Sequence, residues 1–127
     1  MTVPWDRLAR CAWEIRENAH THGPTRVGVA VLAQDDRIFA GCNVEHRFRS
    51  HDIHAEVNAL STMVAEGAHQ VVALLIAAER HYFTPCGSCL DWIFELGSPE
   101  CLIGFQAKRG AGLRIVSANE LMPHYPR

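Results

Sequence analysis

The sequence has no long apolar run. Its longest, Val71 to Ala78, is eight residues, far below the roughly 18 that a membrane-spanning helix needs. The N-terminus also lacks the charged-then-apolar pattern of a secretory leader, and the two absences together predict a cytoplasmic protein that does not engage a membrane. Positive charge is not in excess: 12 Lys and Arg stand against 14 Asp and Glu, for a net charge of −2. That balance argues against binding nucleic acid through a broadly basic surface, and no tract of aromatic residues offers stacking platforms for a polynucleotide. Repeats, low-complexity segments and Gly/Ser linkers are absent, so residues 1–127 are expected to form one domain. Five cysteines are too few and of the wrong parity for a disulfide scaffold, and a chain this long builds its core without covalent staples.

What is present has clear periodicity. Trp5, Leu8, Ala12, Ile15 and Ala19 recur at steps of three and four, with Pro4 at the first helical position and Gly23-Pro24 beyond the end, which predicts an amphipathic helix. Val27 to Ala33 and Arg37 to Cys42, separated by Gln34-Asp35-Asp36, form a predicted β-hairpin. Asp52 is a candidate N-cap for a second helix that begins at or just before His54, carries Ile53, Val57, Leu60 and Val64, and stops at Gly67. Val71 to Ala78 suits a strand covered on both faces. Pro85-Cys86 opens a third helix that ends at Gly97. Leu102 to Phe105 and Leu113 to Val116 are two further strands, and Ser117 to Glu120 has capping-box spacing for a short last helix. The expected order is α, β, β, α, β, α, β, β, α, a layered α/β sheet.

Two fragments carry chemistry: His54-Ala55-Glu56 at one helix start and Pro85-Cys86-Gly87-Ser88-Cys89 at another. H-x-E followed by P-C-x-x-C is an established signature of zinc nucleobase deaminases. Its physics stands separately from that match. Cys86 and Cys89 are neighbours on one helical face in a first turn, where unpaired N–H groups and the helix dipole favour thiolates. One imidazole and two thiolates give zinc (Zn2+) three protein ligands, the number of a catalytic site with an open position rather than a closed structural one. Such an ion is formally neutral and acidifies water less than an all-histidine site, so a carboxylate that takes the proton is valuable. Glu56 is that candidate catalytic group, with His54, Cys86 and Cys89 as metal ligands. A Cys-x-x-Cys pair alone is a weak signal that also suits a redox pair, or half of a structural zinc site completed by Cys42, Cys101 or His51. Cys11, Cys42 and Cys101 are otherwise expected to be small buried apolar groups.

Beyond these fragments, Gly41-Cys42-Asn43-Val44-Glu45 resembles the nucleoside-binding segment of the cytidine deaminase family and precedes His54 by that family's separation. Val27-Gly28-Val29-Ala30, the Pro85 to Cys89 motif and Glu120-Leu121-Met122-Pro123 extend the resemblance over most of the chain. It implies a three-layer α/β/α cytidine deaminase-like sandwich with a five-stranded mixed sheet, and a homotetramer, or a homodimer, whose sites borrow residues from neighbouring subunits. It also implies that Asn43 and Glu45 bind substrate by hydrogen-bonding a ribose hydroxyl. Read without the resemblance, Asn43 merely turns the chain and Glu45 is solvated.

The chain departs from the small tetrameric members in having His54 where cysteine is usual, Val57 where a basic residue follows the glutamate, and Thr25 at a common phenylalanine position. The first two departures agree, because a zinc with three thiolates gains from a nearby cation and one with two does not need it. His46-Arg47-Phe48-Arg49-Ser50-His51 replaces small, apolar filler, and its guanidinium groups suit a phosphate. The leading expectation is a zinc-dependent hydrolytic deaminase of a cytidine-like nucleoside. The alternatives are deamination of an aminopyrimidine nucleoside antibiotic of the blasticidin type, deamination of a phosphorylated nucleotide, a non-catalytic zinc-stabilised binding module, and a thiol oxidoreductase based on Cys86 and Cys89.

Overall fold

The computed structural model describes residues 2–126. Its elements are α1 (Trp5–Arg16), β1 (Val27–Ala33), β2 (Ile38–Cys42), a 3-10 turn (Arg49–His51), α2 (Ala55–Ala65), β3 (Val71–Ala78), α3 (Gly87–Leu96), β4 (Leu102–Gln106), β5 (Arg114–Ser117) and α4 (Ala118–Leu121). The five strands form one mixed sheet in the order β2-β1-β3-β4-β5. Only β3 and β4 run parallel, with α3 as the crossover between them; the other neighbours are antiparallel.

Strand alternation divides the interior into two layers. Val27, Val29 and Val31 of β1, with Leu74, Ile76 and Ala78 of β3, face α2 and α3 and pack with Leu60, Met63 and Ile93. Ala30 and Leu32, with Ala73, Leu75 and Ala77, face α1 and pack with Leu8, Ala12 and Trp13. Both faces of the central strands are therefore dry, which explains why their sequences are almost continuously apolar.

Glycines set how closely the helices approach. A Cβ at Gly28 would lie 2.0 Å from the Ala12 carbonyl oxygen, and one at Gly41 would lie 2.3 Å from the Ala59 amide nitrogen. Because those obstacles are backbone, the sheet and the helices come this close at these two positions only because the side chain there is a hydrogen. The Gly41 contact fixes the depth of α2, the helix that begins beside His54.

Several local expectations are corrected. α1 ends at Arg16, before Ala19, which is nonetheless buried, and Pro4 is the N-cap rather than the first helical residue. Asp52 does not cap α2; His54 holds that position without a side-chain cap, because the Asp52 carboxylate is bonded to the His46 N–H and the Arg49 guanidinium. The capping box of α4 forms as its spacing predicts, with Ser117 accepting from the Glu120 N–H and Glu120 from the Ser117 N–H. No helix among the described residues is long and apolar enough to cross a membrane.

Candidate metal centre and substrate pocket

Three chain segments converge at one end of the sheet. Val27 begins β1 opposite Ala78, the end of β3, while Gly28 pairs with Cys42, the end of β2. α2 and α3 present their N-termini to the same end, with His54 and Cys86 as the respective N-caps. The positive ends of two helices therefore point at the place where the candidate ligands meet.

His54 Nδ1 lies 3.3 Å from Cys89 Sγ and 3.5 Å from Cys86 Sγ, and all three ligand atoms fall within 4.8 Å of one another. Zn–N and Zn–S bonds at tetrahedral angles set nitrogen and sulfur about 3.6 Å apart, so the donors fit a zinc ion in both type and spacing. Among the described residues no fourth His, Cys, Asp or Glu joins the group; Cys42, Cys101 and His51 do not complete it. Cys89 is buried whereas His54 and Cys86 are exposed, so the group is open on the cavity side. Burial, then the charges of Glu56 and Cys86, push the Cys89 thiol up from its ordinary value. A cation held between the sulfurs would oppose those effects and favour the thiolate forms.

Glu56 is in the first turn of α2 and only 3% exposed. Burial raises its carboxyl above the ordinary value of 4.5, opposed by its own backbone N–H and by His54. A carboxyl lining the cavity beside these donors is placed to exchange a proton with a ligand held there.

The cavity over this group measures about 530 Å³ and includes His54, Glu56 and Cys86 in its lining, a size suited to a small ligand. Asn43 and Glu45 line it as well. Asn43 Oδ1 accepts the Val27 N–H at 2.9 Å and Nδ2 donates to the Thr25 carbonyl at 2.9 Å, which leaves one donor hydrogen and one lone pair for another partner. Glu45 Oε1 accepts the N–H groups of His22 and Gly23 at 2.7 and 2.8 Å. Those two bonds, the one from Gly23 having the larger influence, hold its carboxyl below the ordinary value, with Arg49 adding to the effect.

The two arginines of the 46–51 segment are placed differently. Arg49 is occupied by Glu45 and Asp52, and Arg47 is absent from the cavity lining. Thr25 does line the cavity, and its hydroxyl accepts from the Arg80 guanidinium. Arg80, Tyr82 and Phe83, which belong to no motif in the sequence, form the wall contributed by the segment between β3 and α3. Phe83 is anchored by stacking on Phe105 at 6.5 Å. No local pattern marks these residues; only the shared strand ends bring them to the cavity.

Residues 5–105 match the family described as the cytidine and deoxycytidylate deaminase zinc-binding region. Similar curated proteins include a cytidine deaminase of Sporosarcina psychrophila, 35% identical over 71% of this chain and 68% of that protein. Another, from Halalkalibacterium halodurans, is 28% identical over 91% of this chain and 89% of that protein. The crystal structure of cytidine deaminase from Burkholderia pseudomallei superposes with a TM-score of 0.88 at 30% identity, covering 98% of both chains.

Proposed function

Since the chain belongs to the cytidine and deoxycytidylate deaminase zinc-binding family, we propose that it hydrolyses the exocyclic amine of a cytidine nucleoside, with residues 1–127 acting as one domain. The observation that carries this reading is a three-donor metal group open to a cavity with Glu56 buried at its side. A closed structural zinc site has a fourth ligand and no use for such a carboxylate.

His54, Cys86 and Cys89 are the residues that would hold zinc. When bound, zinc is a Lewis acid that lets water be deprotonated near neutral pH. Glu56 accepts the water proton as the water oxygen bonds to C4 of the ring, and delivers it to the adjacent ring nitrogen. It then takes the remaining proton from the new C4 hydroxyl and passes it to the exocyclic nitrogen as the C4–N bond breaks and the C4 carbonyl forms, so that cytidine and water leave as uridine and ammonia. The cavity wall of Phe83 and Tyr82 lends apolar surface to the ring. Asn43 and Glu45 are assigned to a sugar hydroxyl, which an amide and a carboxylate can satisfy as acceptor and donor.

The protein is further assigned to the cytoplasm as a homotetramer or homodimer. A groove of Val57, Leu60, Val64, Trp92 and Leu96 on α2 and α3 supports self-association, since Trp92 is 48% exposed and apolar grooves of this kind are common at subunit contacts. Sedimentation velocity of the parent and of Trp92→Glu checks the assembly.

The test of activity is incubation of zinc-loaded protein with cytidine and deoxycytidine while ammonia and nucleoside product are measured. Equimolar ammonia and the uridine-type product are expected. Zinc-loaded, folded protein that releases neither from either nucleoside overturns the reading.

A further inference from the structure

The excursion between Val44 and Ile53 is closed at its base by two backbone hydrogen bonds, from Val44 N–H to the Ile53 carbonyl at 2.9 Å and in the reverse sense at 2.8 Å. Within it, one side chain spans both ends. Arg49 Nε donates to Asp52 Oδ2 at 2.8 Å, and Arg49 Nη2 lies 3.0 Å from Glu45 Oε2. The other oxygen of Asp52 accepts the His46 N–H at 2.8 Å. The other oxygen of Glu45 is taken by the His22 and Gly23 N–H groups. A continuous row of charge-assisted bonds therefore runs from the 22–23 turn through Glu45, Arg49 and Asp52 to His46.

That row settles which lone pairs of Glu45 remain for a ligand. Oε1 already has two donors, whereas Oε2 has one and can accept another. Glu45 and Asp52 are like charges on the same cavity wall, so without a cation between them they would separate, and the flexible glutamate side chain would spread over several rotamers.

On the reading that the cavity takes a nucleoside, we propose that Arg49 is a positioning residue for sugar recognition: its fork holds Glu45 so that Oε2 meets a secondary hydroxyl of the ribose ring. The ordering of Glu45 is then complete before substrate arrives and does not detract from binding. A planar guanidinium bridges two carboxylates at once, whereas a lysine ammonium acts as a point charge and satisfies one at a time.

The experiment compares the zinc-loaded parent, Arg49→Gln, Arg49→Lys and Arg47→Ala on cytidine and on 2′,3′-dideoxycytidine, with calorimetric binding of uridine as a readout independent of turnover. Arg49→Gln should raise KM for cytidine about tenfold, the loss expected for one hydrogen bond to a charged group. Its kcat should stay within about twofold, since the contact serves ground and transition states alike. Uridine binding should weaken in parallel, the dideoxy substrate should be unaffected, and Arg49→Lys should recover part of the loss. Arg47→Ala should match the parent on both substrates. Equal losses on the two substrates, a fall in kcat alone, or no change overturns the proposal. If Arg49→Gln does not fold, Arg49→Lys decides by the same ratio of KM values. A parent that turns over neither substrate and does not bind uridine overturns the nucleoside reading together with this one, whereas an active parent with unchanged sugar discrimination overturns this one alone.

Discussion

Asn58, one turn along α2 from His54, accepts the Cys42 backbone N–H on its Oδ1 at 2.9 Å, while its own N–H bonds back to the His54 carbonyl at 2.9 Å. The helix that starts with the candidate metal ligand His54 is thus stitched to the end of β2, immediately before Asn43. Asn58→Leu removes the acceptor and leaves the Cys42 N–H without its partner, a cost of about 1–3 kcal/mol. Chemical denaturation should show that loss. Zinc affinity should fall with it, because α2, which carries His54 at its N-cap, loses its register against β2.

Glu56→Gln separates chemistry from architecture. Glutamine fills the same buried space but cannot take a proton from water, so turnover should drop by about 10³-fold or more. Zinc content by atomic emission and the unfolding midpoint should remain close to those of the parent. Turnover at the parent rate would remove the assigned proton role and return the site to a binding function.

The layered architecture was legible because its signals are local and repeated. Leu8 and Ala12 at helical spacing, the dry run Val71 to Ala78, and the Ser117–Glu120 box each announce themselves within one turn or one strand. The metal group was legible for a related reason: each half lies within four residues at a helix start. Asp52 has the residue type and place of a cap, but its side chain is claimed by His46 and Arg49, a loop-closing arrangement that competes with capping. Trp92 has the spacing of a core residue but sits on the outer side of α3. Arg80 and Thr25 are 55 residues apart in sequence, and no periodicity reports a contact between two strand ends.

The cysteines differ enough in exposure to be told apart chemically. Cys86 is exposed, Cys11 is half-buried, and Cys42, Cys89 and Cys101 are buried. Burial pushes the thiols of Cys42 and Cys101 up as well, which makes them poor nucleophiles. Removing zinc with a chelator should therefore release one rapidly alkylated thiol, mapped to Cys86 by mass spectrometry, and zinc should protect it again. Labelling of Cys86 that ignores zinc would show that its sulfur is not a ligand.

Glu45 should leave a signature on the acid side of the stability profile. Its carboxyl is held below 4.5, chiefly by the Gly23 N–H, with His22 and Arg49 in the same sense and desolvation opposing. A carboxyl whose folded value is depressed binds fewer protons in the folded chain than in the unfolded one. Its contribution is present above the unfolded value, near 4.5, and disappears as pH falls through the lower folded value. Glu45→Gln abolishes that titration, so its unfolding free energy should decline less steeply than the parent's below pH 4.5 and lie at a constant offset above it. Urea titrations of both proteins at a series of pH values measure the two slopes. Parallel curves through the acid range would mean that Glu45 gains no net interaction from its ring of N–H donors, and would remove the premise that this carboxylate is held charged and oriented for the sugar.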